Sequence, residues 1–231
     1  MRGKFRQIYH SRLPEVPRPS GAEREKVIIC VGSIGLRKGQ TYLVEAFSRI
    51  ASKHPDWDLA LVGRPADETL VGRIRDVVSK NKLQSRVQFA EHCSDAELTS
   101  RLNRSAIFAM PSLMEGLGLS LQEALVHGCA CIGSGVGGIP DLIKDGDNGL
   151  LVEPGNVPQL AEGLERLMEH HELRSRLALR GPQSIEEKEM TAPKMVEKYD
   201  NLYQAALAEW TSLHPRAKVA CSQPSGHASR N

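Results

Sequence analysis

Aromatic side chains are scarce in this chain: two Trp, four Tyr and four Phe among 231 residues. Charge of either sign is nearly balanced, with 30 Lys and Arg against 28 Asp and Glu, a formal net charge of +2. Nucleic-acid binding ordinarily requires clustered Lys and Arg interleaved with aromatics, so no nucleic-acid partner is expected. Long apolar runs are missing as well. The stretch from Met1 to Glu25 carries Arg2, Lys4, Arg6, Arg12 and Arg18 but no apolar core for a signal peptide or membrane span, and a cytoplasmic protein is expected. Those first 25 residues read as a flexible arm or the remnant of an interdomain linker, with weak peripheral contact to an anionic membrane surface as the alternative use of the arginines.

The five cysteines, Cys30, Cys93, Cys129, Cys131 and Cys221, show no disulfide or metal-ligand spacing. Ordinary reduced thiols are the expectation. The sequence shows no Ser/His/Asp triad, metal cluster, internal repeat or low-complexity block, and neither a metal ion nor a cofactor is expected. At this length a core of ordinary size is attainable in one large domain.

What is present is an alternation. Short apolar runs at Val27–Val31, Leu59–Val62, Val87–Ala90, Ala106–Met110, Ala130–Ile132 and Leu150–Val152 read as strands buried on both faces. Between them lie amphipathic segments at about residues 40–53, 68–81, 94–103 and 120–127, with apolar residues at helical spacing such as Leu43, Val44, Phe47 and Ile50. Ser94 and Glu97 form a capping-box pattern. After Gly155 the chain turns helical, at about residues 157–170, 172–180 and 193–210, and residues 211–231 lack periodicity and read as a disordered tail. The pattern predicts an α/β fold, a doubly wound parallel sheet with carboxyl-terminal helices, over residues 26–210. Ligands of such sheets bind at the carboxyl ends of the strands. The glycine-punctuated turns after Val31, Val62, Met110 and Ile132 all fall there.

The segment E-G-L-G-L-S-L-Q-E, Glu115 to Glu123, is the most informative. It places one carboxylate on a loop, a second near a helix start, and unpaired backbone N–H groups at Gly116, Leu117, Gly118 and Leu119 between them. A helix start attracts phosphates through its unpaired donors and its dipole, while carboxylates accept bonds from sugar hydroxyls. Each assignment has a plainer reading: Glu115 as a solvated loop acid, the glycines as a tight turn, and Glu123 as the far end of a capping box begun by Ser120.

Four segments, 31–39, 61–63, 111–124 and 137–152, in this order and spacing, resemble the carboxyl-terminal, nucleotide-sugar-binding domain of a retaining GT-B glycosyltransferase, of the group 1 or family 4-like type. The resemblance spans Val27 to about Leu207. It implies a hexosyltransferase acting in polysaccharide or related biosynthesis, with a nucleotide-diphosphate sugar as donor and a sugar or lipid as acceptor. Glu115 matches the glutamate that faces the donor sugar, and Glu123 the one that accepts bonds from the ribose hydroxyls. Lys38 matches the basic residue on the diphosphate, Gly116 to Leu119 its backbone cradle, Gly63 the second strand end near the phosphates. His92 falls in the loop that walls the base.

One departure stands out. The family usually carries an arginine five positions before the lysine, where this chain has Ser33; Arg37 is the candidate substitute. The resemblance also implies an acceptor domain in front of this one, whereas about 25 residues precede the first strand. An isolated donor half would bind but transfer poorly, and would need an acceptor-domain partner. In the family the last helix commonly crosses back to that domain, which would leave Met195, Tyr199, Leu202, Tyr203 and Leu207 uncovered here. The alternative function is a non-catalytic nucleotide-sugar-binding or interaction protein.

Overall fold

A computed structural model describes residues 7–11, 13, 24–91 and 93–214. Six strands, β1 (Glu25–Val31), β2 (Asp58–Val62), β3 (Val87–Ala90), β4 (Ser105–Met110), β5 (Ala130–Ser134) and β6 (Gly149–Val152), form one sheet in the order β3-β2-β1-β4-β5-β6. Every pairing is parallel. This is the doubly wound order in which the chain starts centrally, builds one flank, and returns to build the other. The helices are α1 (Gln40–Ile50), α2 (Glu68–Lys80), α3 (Asp95–Arg104), α4 (Leu119–Val126), α5 (Ile139–Leu142), α6 (Val157–Glu169), α7 (His171–Glu187) and α8 (Ala192–Leu213).

Strand alternation splits the core into two layers. Ile28, Cys30, Leu59, Leu61, Ile107 and Ile132 face α1, α2 and α6. Ile29, Ala60, Phe108, Met110 and Cys131 face α3, α4, α5 and part of α7. All six residues of β4 are buried, as a central strand with helices on both sides requires. Each fully buried Ile or Phe here contributes roughly 1.5–3 kcal/mol of transfer free energy.

The α1 helix shows how sequence sets packing. Leu43, Val44, Phe47 and Ile50 recur at helical spacing, and none exceeds 3% exposure. Arg86 closes its far end, donating to the Ala51 carbonyl at 2.7 Å, to His54 O at 2.6 Å and to Trp57 O. Carbonyls that a helix end leaves without partners are thereby satisfied. Its guanidinium also lies 5.2 Å from the Phe47 ring.

Several expected boundaries shift. The second helix of the carboxyl-terminal region was expected to stop at Arg180, before Gly181-Pro182, yet α7 runs on to Glu187. Gly181 lies so close to α4 that an added Cβ would stand 2.7 Å from the Leu125 carbonyl. The helix continues through Pro182 where it packs against α4, although an interior proline removes a helical hydrogen bond. The expected irregular loop after β5 contains the single-turn α5, and the β1–α1 loop contains a 3-10 turn at Leu36–Lys38; turns this short carry no periodicity to read. Helix α8 reaches Leu213, three residues into the expected tail, and residues 215–231 lie outside the described residues.

Within the stretch expected as a flexible arm, Ser11 and Leu13 are buried. The Leu13 carbonyl accepts a bond from Ala192 N at 2.8 Å, and Arg24 donates to the Leu102 and Ser105 carbonyls and to His127 O. None of the described helices is long and apolar enough to cross a membrane.

Candidate functional site

Strand order reverses between β1 and β4, and the loops leaving these strands splay apart to leave a crevice at such a reversal. The loop after β1 carries Lys38, and the loop after β4 carries Glu115. They meet: Lys38 Nζ lies 2.6 Å from Glu115 Oε2, with the two side chains 22% and 12% exposed. Ser112 Oγ stands 3.5 Å from the same carboxylate oxygen, and Gly116 N donates to Oε1 at 3.1 Å. A partly desolvated ion pair of this kind is worth more than an exposed one because solvent screens it less.

The backbone around the pair is built by close approach. Leu113 N donates to the Arg37 carbonyl at 2.7 Å, tying the two loops together beside Lys38 and Glu115. Gly138 N donates to Gly116 O at 2.7 Å, tying in the loop after β5. At Gly137, where φ is +55°, an added Cβ would stand 1.8 Å from the Glu115 carbonyl. At Gly39 it would stand 2.0 Å from the Pro111 carbonyl. A residue with a side chain cannot occupy either position without moving the neighbouring loop.

Helix α4 starts at Leu119 with Gly118 as N-cap and no side-chain cap. Its first turn therefore has no side chain competing for its N–H groups on the crevice side. Ser120, expected to open a capping box with Glu123, lies inside the helix and donates its hydroxyl to Val31 O at 3.1 Å, pinning α4 to the end of β1. Glu123 thus sits in the second turn of α4 rather than the first, partly buried. The capping reading of Glu123 is removed because its supposed partner serves β1.

Farther along the rim, Val31, Gly32, Ser33, Val62, Gly63, Arg64, Glu91, Cys93 and Leu98 surround a hollow of about 250 Å³ at the ends of β1, β2 and β3. Gly63 acts there as a spacer, its added Cβ standing 2.1 Å from Gly32 O. Ser33 is exposed and its carbonyl accepts from Gln40 Nε2 at 3.1 Å, while Arg37 has an exposed side chain. His92 lies outside the described residues.

Sequence reasoning missed Ser112 and Gln40, and gave Ser120 a capping role that the structure replaces with the bond to Val31. Ser112 is fully buried beside Glu115, and Gln40, 1% exposed, brackets the β1 loop by bonding both Ser33 O and Gly35 N. Ser112 sits next to Pro111 inside a segment already singled out, so a signal existed there; Gln40 gave none, being a polar residue in an ordinary helical position. The buried thiols play no part in chemistry at the rim. Burial pushes Cys30 and Cys129 up to about 12 and Cys131 well above the ordinary thiol value, so none is a thiolate near neutral pH.

A parallel sheet in this order, with a charged, glycine-lined crevice at its reversal point, defines a Rossmann-type ligand-binding domain. Residues 14–184 match the model of the family "Glycosyl transferases group 1", and the chain belongs to that family. It is 32% identical over 189 residues to N-acetyl-alpha-D-glucosaminyl L-malate synthase of Bacillus anthracis, covering 81% of this chain and 48% of that protein. It is 28% identical over 172 residues to alpha-D-kanosaminyltransferase of Streptomyces kanamyceticus, covering 73% and 43%. The chain spans about half the length of these curated relatives. Among solved structures, the C-terminal domain of the group 1 glycosyl transferase LpcC of Francisella tularensis superposes with a TM-score of 0.67 at 29% identity, covering 72% of this chain and 87% of that one. Anabaena Alr3699/HepE in complex with UDP and glucose shares the fold at 21% identity, with a TM-score of 0.71 over 79% of this chain and 49% of that one. The fold is thus that of a GT-B carboxyl-terminal domain, and the chain is of glycosyltransferase lineage.

Proposed function

We propose that this domain holds a nucleotide-diphosphate sugar for retaining transfer of a hexosyl group to a sugar or lipid acceptor, as the donor half of a two-domain transferase. The observation that carries this reading is the Lys38–Glu115 pair across the strand-order reversal. The diphosphate lies against the α4 amino terminus and the Gly116–Leu119 backbone, where N–H donors and the helix dipole favour negative charge. An ammonium has three donors. Lys38 can therefore bond a phosphate oxygen while keeping Glu115, and so offsets the repulsion between the carboxylate and the diphosphate. Glu115 then faces the sugar, where a carboxylate stabilises the oxocarbenium character that develops at the anomeric carbon.

Glu123 accepts from the ribose hydroxyls, and the base lies in the hollow flanked by Ser33, Gly63 and Glu91. That the Anabaena fold neighbour was solved in complex with UDP supports a nucleoside diphosphate as the ligand class. No metal ion is assigned to the transfer itself, because Lys38 and the helix start supply positive charge for the diphosphate. Curated relatives about twice as long support an acceptor domain closing the crevice from above. Closure is what excludes water and completes orientation in a group transfer.

A second reading, a nucleotide-sugar-binding protein without transferase activity, draws on Ser33. It presents a short hydroxyl where the family carries an arginine, and the Arg37 side chain is exposed. Calorimetric titration with UDP- and GDP-sugars, followed by transfer assays with an acceptor domain supplied, separates the two. Glu115→Gln should keep donor binding and lose transfer. Binding without turnover under every combination favours the second reading, and no binding of any nucleotide sugar at millimolar concentration sinks both.

A further inference from the structure

On the opposite side of the molecule's chemistry, the end of α1 and the end of α6 bring three metal-ligating side chains together. His54 follows α1; Glu165 and Glu169 stand one turn apart on α6 and therefore share a face. Their ligand atoms all lie within 4.8 Å of one another. His54 Nε2 is 3.5 Å from Glu165 Oε1 and 3.7 Å from Glu169 Oε1. That nitrogen is shielded from solvent and makes no hydrogen bond. Native structures rarely leave a buried polar atom in that condition without a reason.

The separations themselves are informative. They are too long for good hydrogen bonds. The two separations from the imidazole are close to the edge of a tetrahedron built on metal–ligand bonds of about 2.0–2.2 Å, which is about 3.3–3.6 Å, and the third, between the carboxylates, is within 4.8 Å. The backbone at His54 is held in place, its carbonyl accepting from Arg86 at 2.6 Å. Glu169, at 49% side-chain exposure, leaves a path from solvent.

We propose that His54, Glu165 and Glu169 bind a divalent cation of the zinc type, which staples the end of α1 to the end of α6. One imidazole with two carboxylates suits a borderline ion such as Zn²⁺ or Co²⁺ rather than Mg²⁺ or Ca²⁺, which prefer all-oxygen sets. The site lies apart from Lys38 and Glu115 and takes no part in the transfer proposed above. Its one competitor among the described side chains in contact is Lys53, whose ammonium is 2.8 Å from Glu165 Oε1. Lys53 is 64% exposed and free to swing outward.

The test uses the full chain, Zn²⁺ alone by calorimetry and Co²⁺ alone by visible absorption. Wild-type protein should bind one Zn²⁺ per chain and give the intense bands of tetrahedral Co²⁺, with a rise in melting temperature. Glu169→Gln, on a half-exposed side chain, and His54→Gln should each weaken binding by about a hundredfold or more, since even outer-shell partners are worth about ten- to a hundredfold. Lys53→Ala should tighten it by about two- to fivefold, the worth of an exposed ion pair. Absence of Zn²⁺ and Co²⁺ binding at millimolar concentration overturns the proposal. So does binding that Glu169→Gln and His54→Gln leave unchanged, which would place the ion on other histidines.

Discussion

Along the carboxyl-terminal rim of the sheet, backbone rests on backbone: Gly39 against Pro111, Gly63 against Gly32, Gly137 against Glu115. Along α8 the opposite holds. None of its 22 residues is buried, and Tyr203, Leu207, Trp210 and Leu213 are 63%, 57%, 51% and 68% exposed. The rim spends its small residues to bring loops together around two charged side chains. The last helix keeps its large apolar residues outward and is tied to the domain by the Leu13–Ala192 bond and the Lys198–Glu189 ion pair. The contrast teaches where this domain's own stability resides. It is concentrated in the sheet and its loops, whereas α8 presents a strip whose burial would come from another surface, such as the proposed acceptor domain.

Substitution at the tightest point of the rim should have the largest effect. Gly137→Ala places a Cβ inside the Glu115 carbonyl at a left-handed backbone, and urea melts should show a loss of about 3 kcal/mol or more together with loss of nucleotide-sugar binding. An unchanged melt would erase the difference between the two regions. Lys38→Met comes next. Removing the charged donor should weaken nucleoside-diphosphate binding by about ten- to a hundredfold in calorimetry; full affinity would take the diphosphate away from this crevice. Gly116→Ala sharpens the comparison inside the rim itself. An added Cβ there meets nothing within 4 Å, so stability should change by less than about 1 kcal/mol, and a larger loss would mean that the loops are packed more tightly than they stand. Smallest of all, Tyr203→Ser on α8 should stay within about 0.5 kcal/mol in the isolated domain. A multi-kilocalorie loss would show that α8 is integral to the core.

Local chemistry was legible and distant pairing was not. The bounds of β3, Val87–Ala90, were read correctly because charged and small residues flank a short apolar run on both sides. The Ser94–Glu97 capping box formed as its pattern implies, since both partners lie within one turn and need nothing from elsewhere. Ser120–Glu123 has the same spacing and failed, because Val31 competes for the serine hydroxyl across 89 residues of chain. Convergence of the loops at one rim followed from parallel topology alone. The direct bond between Lys38 and Glu115 did not, because nothing at either position names the other. The His54 cluster was hidden for a similar reason: His54 follows α1 and the two glutamates lie on α6, about 110 positions further on, and no short motif links them.

Lys38 and Glu115 are 77 residues apart, and β1 is flanked by β2 on one edge and β4 on the other. On a ribosome adding roughly 5–20 residues each second, the lysine emerges about four to fifteen seconds before its partner. Once β2 has followed, β1 can pair with it, but the second edge, with Ile28 and Ile29, stays open to foreign strands until β4 is made. A chaperone that shields nascent chains has its clearest work during that delay.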